Sequence, residues 1–292
     1  MSIEKQSLKN RYMKKTGLIA VMCVAALSAA AQEKADIIAS YDVKVRNWDA
    51  DTVTTTRMSL LANTRQAKYF NDLSLWSDSL SSTPEGKKQL QQIIMAACMT
   101  ETPEGVTFDM RKGPVKNVHT YVFTSQPDDK LTYYSKFGDS EAYYEEALDE
   151  MQWEIGDETS TVLGYECQSA TADYHGRKWT AWFAPEIPVA FGPWKFHGLP
   201  GLILKAEADG TFCFEATGIE KSDRLMTPIY SPEKYQKTSR KKALADDEYF
   251  MNNREAIIQA KFGGSVKFEN VDPDRPKYNA LRDSLEPDYK DK

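Results

Sequence analysis

Two neighbouring segments of the chain alternate apolar and polar residues on both sides of a glycine-containing turn, as antiparallel β-hairpins do. The first, residues 161–184, turns at His175-Gly176. A two-residue turn there sets three cross-strand pairs: Tyr174–Arg177, Asp173–Lys178 and Ala172–Trp179. One face then carries an ion pair and the other an apolar contact, so the register is strongly specified.

The second segment, residues 201–218, places Asp209 and Gly210 between two apolar stretches. A two-residue turn would mix apolar and charged side chains on each face. A three-residue loop of Ala208, Asp209 and Gly210 instead makes one face wholly apolar, with the pairs Ala206–Phe212, Leu204–Phe214 and Leu202–Ala216. We therefore predict the three-residue loop, with Gly210 at the positive φ of its bulge.

Further strands are predicted along the chain from the same alternation. The ranges are 36–48, 57–71, 105–110, 117–126 and 130–137. Residues 140–151 are interpreted as a strand followed by a loop, although their composition also suits a helix. Most of these strands are short and separated by Gly, Pro or Asp turns, which favours an antiparallel sheet over a parallel one.

Helices are predicted where capping residues precede a helical pattern. Thr83 as an N-cap and Pro84 as the first helical residue predict a helix whose apolar stripe is Leu90, Ile93, Ile94 and Ala97. Ser231-Pro232 begins and Gly263-Gly264 ends a second helical region. We predict two helices there, split between Ala243 and Asp246.

Together these elements predict an α+β fold that is mainly β, with a curved antiparallel sheet and a few helices packed on it. Residues 32–270 are expected to form one domain, helical over about 231–262. Residues 271–292 are rich in Pro, Asp and Lys and are expected to be extended or disordered. The meander with apolar faces is similar to the half-barrel of periplasmic lipoprotein carriers, which wraps an apolar concavity.

The first 31 residues have the layout of a secretory signal peptide. Two lysines precede an apolar run from Gly17 to Leu27, and small residues follow. We expect cleavage after Ala31, and initiation at Met13 would give a more typical signal. Lipidation at Cys23 is the weaker alternative because this cysteine lies inside the apolar run. The mature protein is expected in the periplasm, with outer-membrane association or secretion as alternatives.

Charge and cysteine content exclude several classes of function. A formal net charge of -6 argues against a nucleic-acid partner, and no later stretch is long and apolar enough to cross a membrane. Cys98, Cys167 and Cys213 remain after export, so at least one thiol stays unpaired within the chain. A Cys167–Cys213 disulfide is left open. No C-x-x-C occurs, which argues against a cysteine-based metal or redox site.

The usual catalytic motifs are missing from the sequence. No serine lies in G-x-S-x-G, no H-E-x-x-H occurs and no cluster has metal-ligand spacing, so neither a metal nor a cofactor is predicted. His197 lies beside a glycine-rich stretch and is the best candidate for a general base, with Glu186 as the nearby carboxylate. His119 and His175 are explained more simply by a strand and a turn position.

The proline- and glycine-rich stretch 185–201 leads into a strand. A phosphate-binding loop would lead into a helix N-terminus instead, so we interpret the stretch as a bend. Aromatic residues before and within it are predicted to pack beneath the loop. They are core residues first and candidates for binding an apolar ligand second: Trp179, Trp182, Phe191, Trp194 and Phe196.

The segment WTAWFAPEIPVAFGPWKFHGLPGLIL resembles the defining segment of the GLPGLI family, exported proteins of Gram-negative bacteria named for the string Gly198, Leu199, Pro200, Gly201, Leu202 and Ile203. The preceding hairpin and a Tyr-Asn pair at Tyr278 also fit the family. The match is specific over 153–220 and looser before it. It implies an exported, β-rich protein of uncharacterised role.

These observations favour a non-enzymatic protein that binds or carries an apolar molecule, a peptide or an envelope partner. Two alternatives stay open. The first is a hydrolase using His197 with a carboxylate such as Glu186. The second is an accessory protein of an outer-membrane receptor. The missing triad and metal motifs favour binding over catalysis.

Overall fold

The structure is a computed structural model that describes residues 33–103, 105–148, 151–227, 229–262 and 276–290. The expected signal peptide and its cleavage site, Cys23 and the Gly263-Gly264 helix end lie outside these residues. In the described part of the chain, no helix combines the length and apolar character needed to cross a membrane.

Strands are the predominant elements of the described residues. In chain order these are β1 Ile37–Asn47, β2 Thr52–Ala62, β3 Gln66–Phe70, β4 Met99–Thr102, β5 Gly105–Phe108, β6 Tyr121–Ser125, β7 Lys130–Phe137, β8 Ser140–Ala147, β9 Glu154–Val162, β10 Tyr165–Tyr174, β11 Arg177–Ala184, β12 Leu202–Ala208, β13 Phe212–Lys221 and β14 Gln236–Lys237. One large sheet has the order β14-β8-β7-β6-β3-β2-β1-β13-β12-β11-β10-β9. Its neighbours are antiparallel except β14, which runs parallel to β8. Strands β4 and β5 form a separate two-stranded ribbon.

The described residues also contain four α-helices: α1 Asp72–Ser81, α2 Pro84–Cys98, α3 Arg240–Phe262 and α4 Ala280–Asp283. The predicted start of α2 is confirmed, because the Thr83 side chain accepts a hydrogen bond from the Gly86 N–H and Pro84 is the first helical residue. The prediction of a mainly β protein is also confirmed, as a large mixed sheet. The half-barrel form stays a prediction.

The hairpin of β10 and β11 has the register that the sequence predicts. Tyr174 pairs with Arg177, Asp173 with Lys178 and Ala172 with Trp179. Both turn residues have positive φ, 53° at His175 and 78° at Gly176, as a two-residue hairpin turn requires.

The predicted register of β12 and β13 is wrong by two residues. Phe212 lies opposite Ala208, and Phe214 lies opposite Ala206. The loop has three residues, as expected, but it comprises Asp209 to Thr211. Two contacts hold Thr211 in the turn rather than in the strand. Its N–H donates to the Ala208 carbonyl at 3.0 Å, and its hydroxyl accepts from the Trp48 indole N–H at 2.9 Å. A shift of two preserves the side-chain alternation, so Ala206 stays on the apolar face.

Other element boundaries also differ from the prediction. The range 57–71 is two strands, because the Asn63 side chain accepts the N–H groups of Arg65 and Gln66 and forms a tight turn. In the C-terminal region, α3 begins at Arg240 and runs unbroken past Ala243 to Asp246. Its non-helical residue is Asn253, with φ −126° and ψ 18°.

The C-terminal tail is folded where the structure describes it, which corrects the expectation of an extended or disordered segment. Residues 276–290 contain α4 and a 3₁₀ turn over Pro287–Lys290. Glu286 is 2% exposed and Tyr289 is 4% exposed. The composition of this segment predicts disorder, but its charged residues form ion pairs with residues elsewhere in the fold.

Distant parts of the large sheet meet in space. Strands β8 and β11 are eight positions apart in the sheet, about 38 Å in a flat arrangement. Yet Glu146 near the end of β8 lies 3.3 Å from the ring of His175, in the turn before β11. The sheet therefore folds back on itself, so that β8 and the turn before β11 come into contact.

Candidate functional site

The loop 185–201 and four of the five predicted aromatic residues fill the space beside β11 to β13. Trp179, Phe191, Trp194 and Phe196 are at most 3% exposed. Trp179 and Phe196 meet edge to face at 4.8 Å between ring centroids, and Trp194 packs on both. Their surfaces are covered by one another, so in this structure they form core rather than a binding wall.

Trp182 lies on the other face of β11. It is half-buried, and the Lys205 Nζ atom lies 4.6 Å from its ring centroid in a cation–π contact. The structure thus does not bring Trp182 together with the other four candidates.

The string 198–203 forms the bend that leads into β12, as the sequence indicates. Gly198 has φ 92°, and Gly201 lies so close to the Ala184 carbonyl that a Cβ atom would be 2.3 Å from its oxygen. The N–H groups of Leu202 and Ile203 donate to backbone carbonyls of the loop at 3.0 Å. Leu199, Leu202 and Ile203 are buried, whereas Pro200 is exposed.

His197 is held by the backbone. Its Nδ1 lies 2.7 Å from the Lys195 carbonyl oxygen, and its Nε2 lies 2.9 Å from the Leu148 carbonyl oxygen. The side chain is buried, and both ring nitrogens face acceptors. Glu186 is exposed and has no hydrogen bond or ion pair among the described residues. This geometry gives His197 a structural role and leaves no free nitrogen for a general base.

A buried ionic cluster, which sequence reasoning missed, lies next to this loop. The Lys195 side chain is fully buried, and its Nζ contacts Glu146 Oε2 at 2.6 Å and Glu286 Oε1 at 2.8 Å. The Tyr144 hydroxyl donates to the same Glu286 oxygen at 3.1 Å. Both carboxylates are themselves buried, so the loop, β8 and the C-terminal segment share one ion-pair network.

Arg240 extends the ionic cluster at the start of α3. Its guanidinium lies 3.2 Å from Glu146 Oε1, 3.0 Å from Glu286 Oε2 and 2.8 Å from Asp288 Oδ1. His175 completes the set, 3.3 Å from Glu146 and 3.4 Å from Asp288. The ionic cluster therefore comprises Glu146, His175, Lys195, Arg240, Glu286 and Asp288.

Three of these residues have the spacing of a metal site. Ligand atoms of Glu146, His175 and Glu286 lie within 4.8 Å of one another. However, every carboxylate oxygen of the two glutamates already contacts Lys195 or Arg240. These two fixed positive charges oppose a divalent cation, so the donor set suits an internal ion-pair network better than a metal centre.

Burial and charge act in opposite directions on the carboxylates of the ionic cluster. Burial alone would raise the pKa of Glu146, but the neighbouring His175 and Lys195 lower this pKa below its ordinary value. Burial likewise raises the pKa of Asp288, and Arg240 lowers it more. Both groups are therefore held in their ionised form by positive partners.

Four turns lie at one edge of the large sheet, because neighbouring strands alternate in direction: 48–51, 138–139, 175–176 and 209–211. The C-terminal part of the chain contacts three of them. The contacts are Arg282–Asp49 at 2.7 Å, Lys261–Asp139 at 2.7 Å and Asp288–His175 at 3.4 Å. Helices α3 and α4 therefore close this edge of the sheet.

Arg177 ties the C-terminal segment to the fourth turn. This residue is 4% exposed, and its Nε donates to the Ser284 carbonyl at 2.8 Å. One terminal nitrogen donates to Asp209 at 2.6 Å and the other to the Leu281 carbonyl at 3.1 Å. A buried guanidinium with this many acceptors fixes the path of residues 281–284.

Two open cavities flank α3 at the closed edge. The first, about 500 Å³, lies against the ends of β1 and β2 and the residues around Tyr278. The second, about 610 Å³, lies between His119, Lys136 and the helix. Met251 lines both. The apolar side chains that α3 contributes are Phe250, Met251, Ile257 and Ile258, none of them fully buried.

One signal in the sequence points to the ionic cluster. Lys195 stands between two aromatic residues in a stretch that is otherwise apolar, and a lysine in such surroundings needs a buried carboxylate. Its partners, Glu146 and Glu286, are remote in sequence. They lie in segments interpreted as a strand followed by a loop and as an extended or disordered tail. No local pattern connects them.

Comparison with known proteins gives one family match. Residues 174–205 match a family described as "Protein of unknown function (Porph_ging)". The matched range contains the β10–β11 turn and the string 198–203. No curated protein matches the chain.

Two solved structures of PNGF-II, in space groups C2 and P21, are similar to parts of the chain. Each is 12% identical, and they cover 72% and 73% of this chain with TM-scores of 0.47 and 0.45. The chain spans 32% and 33% of the length of those chains. At this level of similarity, neither fold details nor function are transferred.

Replacing Lys195 with alanine is expected to lower the free energy of unfolding by about 3–5 kcal/mol, because two buried carboxylates lose their partner. Urea denaturation measures this change. Lys44→Ala is the matched control, since Lys44 forms a half-exposed ion pair with Glu215 and its loss should cost at most about 1 kcal/mol. Equal losses of unfolding free energy in the two variants would show that the buried ion pairs of Lys195 stabilise the fold no more than an exposed pair does.

The ionic cluster also predicts how stability depends on pH. Glu146 and Asp288 have folded-state pKa values below the ordinary 4.5 and 3.8. Their contribution is therefore complete above those ordinary values and is lost as pH falls through the lowered folded values. Denaturation curves from neutral to acidic pH should show this fall, with a shallower slope in Glu146→Gln. Parallel profiles in the two proteins would contradict the assignment.

Proposed function

We propose that the protein is a non-enzymatic binding protein for an amphiphilic molecule with an apolar chain. The observation that carries this proposal is the pair of cavities on either side of α3. Met251 lines both, and α3 contributes Phe250, Ile257 and Ile258 to the second. Volumes of about 500 and 610 Å³ fall in the range of small-molecule sites. The proposed site thus moves from the aromatic residues 179–196 to α3.

Charge favours an acidic head group at the second cavity. Lys136, Arg254 and Lys261 line it, with Asp139 and Asp247 as the acidic residues. Lys136 and Lys261 are both paired with Asp139, whereas Arg254 has no ion pair among the residues described. An exposed guanidinium beside apolar side chains suits a carboxylate with an alkyl chain.

The closing of the sheet edge supports a carrier-like architecture. We infer that the sheet is a half-barrel, on the ground that β8 and the turn before β11 meet through Glu146 and His175. The C-terminal helices then cover one end of the concavity. This architecture, together with the signal peptide expected from the sequence, supports a periplasmic location for the proposed binding protein.

Catalysis is the weaker alternative on the same evidence. Both ring nitrogens of His197 lie within hydrogen-bond distance of backbone carbonyl oxygens. Glu186 is exposed and has no hydrogen bond or ion pair among the described residues. No observation favours a hydrolase, and the role of an accessory protein for an outer-membrane receptor rests on no feature of the described residues.

Titration calorimetry with dodecanoate tests the proposal. Wild-type protein should bind it saturably, and Met251→Asp should weaken binding at least about tenfold, since a carboxylate would then stand between the two cavities. Arg254→Glu should weaken it as well. Tyr249→Asp is the matched control, because Tyr249 is 64% exposed on the same helix and lines neither cavity.

Absence of binding to wild-type protein, or equal binding to Met251→Asp, would exclude this site. Circular dichroism of each variant separates loss of the site from loss of the fold.

A further inference from the structure

The segment between β3 and β6 lies outside the large sheet and outside the proposed binding site. Between β3 and β6 the chain leaves the sheet to form α1, α2 and the ribbon of β4 and β5. A two-stranded ribbon is at most marginally stable by itself, so its faces need contacts with something else.

The two faces of the ribbon differ in chemistry. Met99 pairs with Phe108 and Glu101 with Val106, so these four side chains share one face. The other face carries Thr100, Thr102 and Thr107. Met99, Val106 and Phe108 are 43%, 60% and 48% exposed. The apolar face is open to solvent, whereas Thr100 and Thr102 on the polar face are half-buried.

Contacts within the segment show why the apolar face stays open. Lys112 donates to the Thr100 hydroxyl at 3.0 Å, and the Asp109 N–H donates to the Cys98 carbonyl at 2.9 Å. The turn at 110–112 therefore lies against the threonine face. The following chain is fixed to α1 by the Lys116–Asp78 ion pair at 2.7 Å.

Helix α2 continues the exposed surface. Met95, 50% exposed, lies one helical turn before Met99, and the Met99 N–H donates to its carbonyl. Lys88 lies seven residues before Met95 and so shares its helix face. Neither Lys88 nor Glu101 has an ion-pair partner among the residues that the structure describes.

This arrangement is complementary to itself. It has an unpaired cation at one end, the exposed side chains of Met95, Met99 and Phe108 in the middle, and an unpaired carboxylate beside the exposed Val106 at the other end. A two-fold rotation about the middle would bring Lys88 of one copy towards Glu101 of the other and would cover the apolar residues of both. An anionic lipid surface fits less well, because Glu101 lies on the apolar face itself.

We propose that the surface formed by Lys88, Met95, Met99, Glu101, Val106 and Phe108 is a homodimer interface. Exposed apolar groups that cluster on a soluble protein mark such contacts, and isologous pairing needs no second gene product. The interface is separate from the cavities at α3, so dimerisation and ligand binding are independent properties.

Sedimentation equilibrium of the purified chain tests the proposal. Wild-type protein should be dimeric, and Phe108→Asp should be monomeric. Lys88→Glu should weaken the dimer, and the double variant Lys88→Glu with Glu101→Lys should restore it, because the charges are then exchanged between the two ends. Val53→Asp is the control, since Val53 is 60% exposed on β2 and should leave the dimer unchanged.

A wild-type protein that stays monomeric up to its solubility limit would overturn the proposal. Wild-type monomers that co-sediment with vesicles containing phosphatidylglycerol would do so in favour of a lipid surface. A dimer that survives Phe108→Asp would place the interface elsewhere. Circular dichroism of the variants confirms that each remains folded.

Discussion

The buried ammonium group of Lys195 is the constraint on which the rest of the structure depends. A fully buried cation costs several kcal/mol of lost hydration unless carboxylates compensate it. Glu146 and Glu286 do so, one from β8 and one from the C-terminal segment, and Arg240 balances their remaining oxygens. Three parts of the chain that are remote in sequence therefore have to meet at one point.

The position of this ion-pair network determines which cavities are open to a ligand. With the C-terminal segment held at the turns of the sheet, α3 lies across the closed edge and leaves a cavity on each side of Met251. The aromatic residues, which the sequence predicts as core first and as ligand-binding candidates second, fill the space beneath the loop, except for Trp182. The signature string is a bend whose loop carries Lys195 into the interior, so its residues contribute to position rather than to contact with a ligand.

Local rules predicted the parts of the fold that local interactions determine. The β10–β11 register and the Thr83 cap follow from adjacent residues, and both are confirmed. The β12–β13 register failed because Trp48, remote in sequence, binds Thr211. The tail failed for the same reason: Glu286 and Asp288 look like surface residues until Lys195, Arg240 and His175 are placed beside them. The cavities at α3 required the complete fold.

Hydrogen exchange of the C-terminal segment tests the central claim most directly. If the ionic cluster fixes this segment, the amides of Asp283 and Ser284, which donate to backbone carbonyls, should exchange slowly at neutral pH. In Arg240→Met, which removes the cluster's contacts with Glu286 and Asp288, protection of residues 278–290 should fall while that of β11 is retained. Exchange of the segment as fast as in an unfolded peptide in the wild-type protein would contradict the account.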